Sequence, residues 1–139
     1  MPLHTTMLEF STQGDSDIID ITHRVQEELS GSPFSDGLVT VFVPGSTGGV
    51  TTLEFEPGLA RGLEEAFEHL ALRDAAYHHD RASKDGNGHS HVRASLAGPS
   101  LSVPFKDRRL TLGTWQQIAF VDFDSRPRRR VLILQIMGE

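Results

Sequence analysis

From residue 89 onward the chain breaks into short alternating or β-branched stretches closed by glycine or proline, and this punctuation restricts the fold more than any other feature. The stretches are His89 to Leu96, Ser100 to Pro104, Arg109 to Leu112, Trp115 to Phe123 and Arg130 to Met137. Runs of this length and pattern predict strands with one or both faces buried. Three earlier segments read the same way: Leu3 to Ser11, Leu38 to Val43 after Asp36-Gly37, and Val50 to Phe55. Only two stretches carry helical spacing. In the first, Ile18, Ile21, Val25 and Leu29 recur every three or four residues, with Asp20 or Thr22 as N-cap and Gly31 at the stop. The second runs from Leu59 to Leu72 behind Pro57-Gly58, with Leu59, Leu63, Phe67 and Leu70 opposite Glu64, Glu65 and Glu68. Many short strands with two main helices predict an α+β fold built on antiparallel sheets, twisted or stacked as a β-sandwich. At 139 residues this is a single domain over 1–139.

The formal net charge of −6 argues against a general nucleic-acid or anionic-membrane partner, each of which needs a basic face. The one basic run, Arg126 to Arg130, is too short to reverse that balance. No apolar stretch approaches the roughly 20 residues of a membrane span, and the first residues lack a signal peptide's charged flank and apolar core, so a cytoplasmic location is expected. With no cysteine, any metal must be held by nitrogen or oxygen.

Four of the seven histidines, His78, His79, His89 and His91, fall with Asp80 and Asp85 between residues 77 and 91. Clustered imidazoles can ligate a metal, move a proton or bind an anion. If His89-Ser90-His91 opens a strand, both rings project from one face, as a chelating pair needs. His78, His79, Asp80 or Asp85 then completes a three-ligand site for a divalent metal such as Zn or Mg, with a position left open for water or substrate. The alternative is a polar loop of solvated or hydrogen-bonded histidines.

Three further features point to ligands. Pro44-Gly45-Ser46-Thr47-Gly48-Gly49 joins two strands, and its backbone amides with the Ser46 and Thr47 hydroxyls suit an anion nest, although a plain hairpin loop is the commoner use. Arg128, Arg129 and Arg130 follow Pro127 at a strand entrance, where guanidinium forks suit phosphate or carboxylate; a solvated turn guarding the sheet edge is the rival reading. Trp115, the only tryptophan, follows Gly113-Thr114 and precedes Gln116, so it can stack on a flat heterocycle or plug the core.

His79-Asp80, Gly88-His89-Ser90-His91-Val92, Ser95-Leu96-Ala97-Gly98-Pro99-Ser100, Pro104, Gly113-Thr114-Trp115-Gln116 and Gly138-Glu139 resemble, in order and over nearly the whole chain, the YjbQ-like family. The resemblance implies an α+β sandwich that assembles as a homotrimer, with polar residues gathered in a cleft near a subunit boundary. It also implies secondary thiamine-phosphate synthase activity, a transferase reaction that joins a pyrimidine diphosphate to a thiazole phosphate and expels pyrophosphate. Carried over by residue, His79, Asp80, His91 and Gln116 are the expected catalytic groups, with Asp80 orienting its histidine. Ser46, Thr47, Trp115, Arg129 and Arg130 are expected to bind the small phosphorylated substrate. In one departure, Gly45-Ser46-Thr47 stands where many members carry His-Thr-Thr or His-Thr-Ser. Two rivals stand beside this expectation: a metal-dependent hydrolase or lyase using His79, His89 and His91, and a non-catalytic trimer that binds a phosphorylated metabolite.

Overall fold

The computed structural model describes residues 2–83 and 86–139. In chain order its elements are β1 (Leu3–Thr12), β2 (Asp17–Asp20), α1 (Thr22–Ser30), β3 (Gly37–Phe42), β4 (Gly48–Leu53) and α2 (Pro57–Leu70). They continue with α3 (His78–Ser83), α4 (Gly88–Ala97), β5 (Ser100–Lys106), β6 (Arg109–Leu110), β7 (Gln117–Asp122) and β8 (Arg128–Gly138). One sheet has the order β1-β8-β3-β5-β6 and the other β2-β7-β4, and every pairing is antiparallel. This is the α+β fold with antiparallel sheets that the patterning predicts.

Alternation along the strands sorts their side chains. Leu8, Val39, Val41, Leu132, Leu134 and Ile136 leave the larger sheet on one face and meet Val50, Ile118 and Phe120 of the smaller one, with Val25 and Leu29 of α1 in the same cluster. Most of these side chains have no solvent contact, and each such Leu or Ile contributes about 1.5–3 kcal/mol relative to exposure. β7 is buried on both faces. Ile118 and Phe120 point into the sandwich, while Val121 and neighbouring Phe123 meet Phe67 of α2 and Ala94 of α4. Phe67 and Phe123 pack edge to face, 4.7 Å between centroids.

Asp107 and Arg108, at φ 51° and 64°, form the two-residue link from β5 to β6, with the left-handed pair that a tight hairpin requires. The Arg108 guanidinium then donates to carbonyls at Ser32 and Phe34, which ties this hairpin to the end of α1.

Three segments depart from the expected elements; one is the histidine-rich loop, whose residues 78–83 form helix α3. Residues 17–20 form β2 against β7, and the helix starts only at Thr22, with Asp20 accepting the Thr22 amide at 2.9 Å. His89 to Leu96, expected as a strand, is helix α4. Its buried Ser90, Arg93 and Ala94 recur at helical spacing, and Gly98 (φ 92°) before Pro99 ends it. Alternation at His89-Ser90-His91 is thus a local accident of composition inside a helix. No helix among the described residues is long and apolar enough to cross a membrane.

Candidate functional site

A cleft of about 470 Å³ opens where the β3–β4 loop, the β7–β8 turn and the start of α4 converge. Its floor is a charge network anchored on Asp122 and Asp124, both fully buried. Asp122 ends β7 and Asp124 follows two residues later. Arg128 and Arg130 leave β8 on one face, as period two requires.

Asp122 receives four hydrogen bonds. Arg130 donates from Nε and Nη2, each at 2.8 Å; the Thr12 hydroxyl donates at 2.5 Å and the Asp124 amide at 2.9 Å. Such a bidentate, fully hydrogen-bonded pair is the form in which a buried charge is tolerable. Arg130 Nη2 also donates to Thr47 Oγ1 at 2.8 Å, and Thr47 donates to Asp124 at 3.2 Å. Arg128 and the Asn87 amide donate to Asp124 as well, at 2.9 and 3.2 Å. Burial by itself would raise the Asp124 pKa. The bonds from Asn87 and Thr47, the Arg128 charge and the Arg126 amide more than offset it, holding the carboxyl below its ordinary 3.8.

With Nε and Nη2 committed, Arg130 has one nitrogen remaining. Nη1 makes no hydrogen bond to the described residues and lies beside Gly45, 3.8 Å from where a Cβ on that glycine would be. No buried side-chain nitrogen or oxygen among the described residues lacks a partner, so Nη1 is open to the cleft. Gly45 itself has φ 129°, a conformation that side-chain-bearing residues rarely adopt. A residue with a side chain at this position, such as a histidine, therefore requires a different loop path. Arg126, at the same rim, pairs with no carboxylate among the described residues.

The helical geometry of α4 separates the two histidines expected to act together. Residues two apart on a helix project about 200° from one another, whereas on a strand they share a face. His91 is half-buried and lines the cleft; His89 is 3% exposed and turned into the protein, with Nε2 3.3 Å from Ser90 Oγ. Burial, followed by the charges of Arg93 and Arg73, pushes the His89 pKa below its usual 6.5. His79 comes from α3 and its ring meets that of His91, 4.1 Å between centroids. Asp80 is 3.8 Å from His79 Nδ1, and its Oδ1 accepts the Gly88 amide at 2.9 Å, at the N-terminus of α4. Asp80 thus faces both the start of α4 and the His79 imidazole.

The expected ligand set of His79, His89 and His91 does not converge, and no group of three His, Asp or Glu side chains among the described residues is placed to hold a metal. Among the described residues, the donors therefore form no three-ligand Zn or Mg centre. Asp85, an alternative ligand, lies outside the described residues. Of the other expected groups, Ser46, Thr47 and Arg130 line the cleft. Arg129 points outward to Glu9 at 2.7 Å. Trp115 is 73% exposed, and Gln116 lines a different groove between β4 and β5, where it donates to Thr52. Asp122, Asp124 and Asn87 are site residues that motif reading missed, although Asp-Phe-Asp and Arg-Arg-Arg, each alternating across a turn, carried the signal.

Residues 6–139 match the family model for UPF0047 protein YjbQ-like. A UPF0047 protein of Archaeoglobus fulgidus is 38% identical over 126 residues, covering 91% of this chain and 96% of the relative. A YbjQ-like protein of unknown function from Sulfolobus solfataricus superposes with a TM-score of 0.94 at 26% identity, covering 99% of each chain. A hypothetical protein of Aeropyrum pernix gives 0.91 at 33% identity, over 98% of this chain and 99% of that one. These findings correct the expected function. The relatives are UPF0047 proteins without an assigned activity, and none supports a thiamine-phosphate synthase, a transferase or either rival reading.

Proposed function

The chain belongs to the UPF0047 YjbQ-like family, and we propose that its cleft binds a small molecule through a phosphate or comparable dianionic group. The observation that carries this reading is Arg130 Nη1, a guanidinium donor presented to the cleft by a residue whose other nitrogens are locked on Asp122. A fixed donor loses little entropy when it captures an anion. The balance of charge supports the same reading: Arg126, Arg128 and Arg130 face Asp124 alone among the lining acids, in a protein of net charge −6. Counting Asp122 beneath Arg130 still leaves the site one positive charge in excess. The Ser46 hydroxyl adds a neutral donor, and α4 presents its N-terminal end, the favourable end of the helix dipole.

Homotrimeric assembly belongs to the same proposal. It is supported by the outer face of the larger sheet, where Leu3, Met7 and Phe42 are exposed.

The test is titration of inorganic phosphate followed by amide chemical shifts, in the native protein and in Arg126→Ala. Saturable binding should perturb residues 45–47 and 126–130, and Arg126→Ala should weaken it about fivefold, near 1 kcal/mol. Absence of saturation up to about 10 mM, which is weaker than about −2.7 kcal/mol, would refute the reading.

A further inference from the structure

The cleft has a second lobe. A cavity of about 290 Å³ shares Gly45, Ser46 and His91 with the first and continues over Gly48, Ala94, Ser95 and Pro99. Its character differs sharply from its neighbour's. Three guanidiniums line the first lobe, whereas among the described residues the second contains no arginine, lysine, aspartate or glutamate. Among the described residues that line it, the one ring able to stack is the imidazole of His91. Hydroxyls and peptide groups supply the remaining polarity: Ser46, and Ser95, whose hydroxyl donates to the His91 carbonyl at 2.8 Å.

A ligand spanning both lobes must match this contrast. Among the described residues a second phosphate would meet no arginine or lysine in this lobe, and an ammonium would meet no carboxylate. A flat heterocycle would lack a broad stacking surface, and at about 290 Å³ the lobe falls just below the roughly 300–1,000 Å³ of ordinary ligand pockets. A short chain bearing hydroxyls meets every constraint, because a hydroxyl can donate to Ser95 Oγ, whose own proton is committed to the His91 carbonyl, and accept from Ser46. Resting on the anion-site reading above, we propose that the ligand is the phosphate monoester of a small polyol. Its phosphate sits at Arg130 and its hydroxylated body lies in the lobe between Ser46 and Ser95, with His91 at the junction.

Glycerol 3-phosphate is the probe, compared by calorimetry with inorganic phosphate, pyrophosphate and uridine monophosphate. Glycerol 3-phosphate should bind at least about tenfold tighter than inorganic phosphate, a gain of about 1.4 kcal/mol. Ser95→Leu, on the exposed side of α4, fills the lobe and should abolish that gain while leaving inorganic phosphate within about twofold. Phosphate binding with no gain for the glycerol ester, or tighter binding of pyrophosphate or the nucleotide, would overturn the polyol assignment and leave the anion site standing. Failure of inorganic phosphate itself to bind would instead overturn the anion site, and this assignment with it.

Discussion

Arg130→Met should cost about 3–5 kcal/mol of folding stability, the range for removing one partner of a buried ion pair. The structure supports that range independently. Arg130 supplies two of the four hydrogen bonds to the fully buried Asp122 carboxylate, and bonds to charged groups contribute about 1.5–3 kcal/mol each. Methionine retains most of the aliphatic stem, so little packing is lost and the change reports on the charge. Against about 5–15 kcal/mol for a typical domain, the loss would be large but survivable. Arg129→Met, one residue away, is the control. Its guanidinium is 66% exposed and pairs with Glu9, so about 0–1 kcal/mol is expected. Urea unfolding followed by far-ultraviolet circular dichroism, at one protein concentration, separates the two by midpoint if the slopes agree. A loss below about 1 kcal/mol for Arg130→Met, indistinguishable from the control, would refute the view that this network holds the sheets together.

Three further outcomes follow from the same region. His89 has its pKa lowered from 6.5 by burial, then by Arg93 and Arg73, so the unfolded chain takes up a proton before the folded one does. Its stabilising contribution is therefore complete above about pH 6.5 and declines as pH falls through the folded value; His89→Gln should flatten the stability profile there, and an NMR midpoint at or above 6.5 would contradict this. Asp124 is held below 3.8 by Asn87, Arg128 and Thr47 against the opposing effect of burial, so its contribution persists above pH 3.8 and is lost as pH falls through the folded value. Asp124→Asn should lower stability at pH 7 and reduce acid sensitivity below 3.8; unchanged acid unfolding would count against the network. Gly88→Ala places a Cβ 2.5 Å from Tyr77 Cβ, forcing α3 and α4 apart, so a loss of about 1–3 kcal/mol should accompany altered His79 and His91 ring shifts. Unaltered thermal unfolding would show that these elements do not pack as described.

Legibility varied with how strongly the local pattern excluded its rivals. Leu59, Leu63 and Phe67 form a stripe that no strand can use, so α2 was readable as Leu59 to Leu72, two residues displaced at each end from the observed Pro57–Leu70. β3 and β8 carry β-branched apolar runs bounded by Gly or Pro, a composition and punctuation that favour strand. His89-Ser90-His91-Val92 satisfies period two as well as it satisfies a helix, and only Ala94 to Ala97 before Gly98-Pro99 favoured the latter. That single ambiguity produced the chelating pair, because the angle between the two imidazoles depends entirely on the element bearing them. The carboxylates of Asp122 and Asp124 were obscured for a different reason. Their partners lie four or eight residues onward across a turn, or in β1, so their importance comes from register rather than from local spacing alone. Arg129 and Arg130 illustrate the same limit: adjacent in sequence, they point to opposite faces of β8, and only one enters the cleft.

The position of β8 bears on how the chain is made. It lies between β1 and β3 and hydrogen-bonds to both, although β1 and β3 precede it by about a hundred residues of synthesis. Until residues 128–138 have emerged from the ribosome, β1 has no strand to pair with in its sheet, and Leu3, Met7 and Leu8 remain on an unpaired segment. Closure of this sheet is therefore a late event with a long loop to close, and the nascent chain passes through a period in which an apolar strand is available to chaperones or to neighbouring copies.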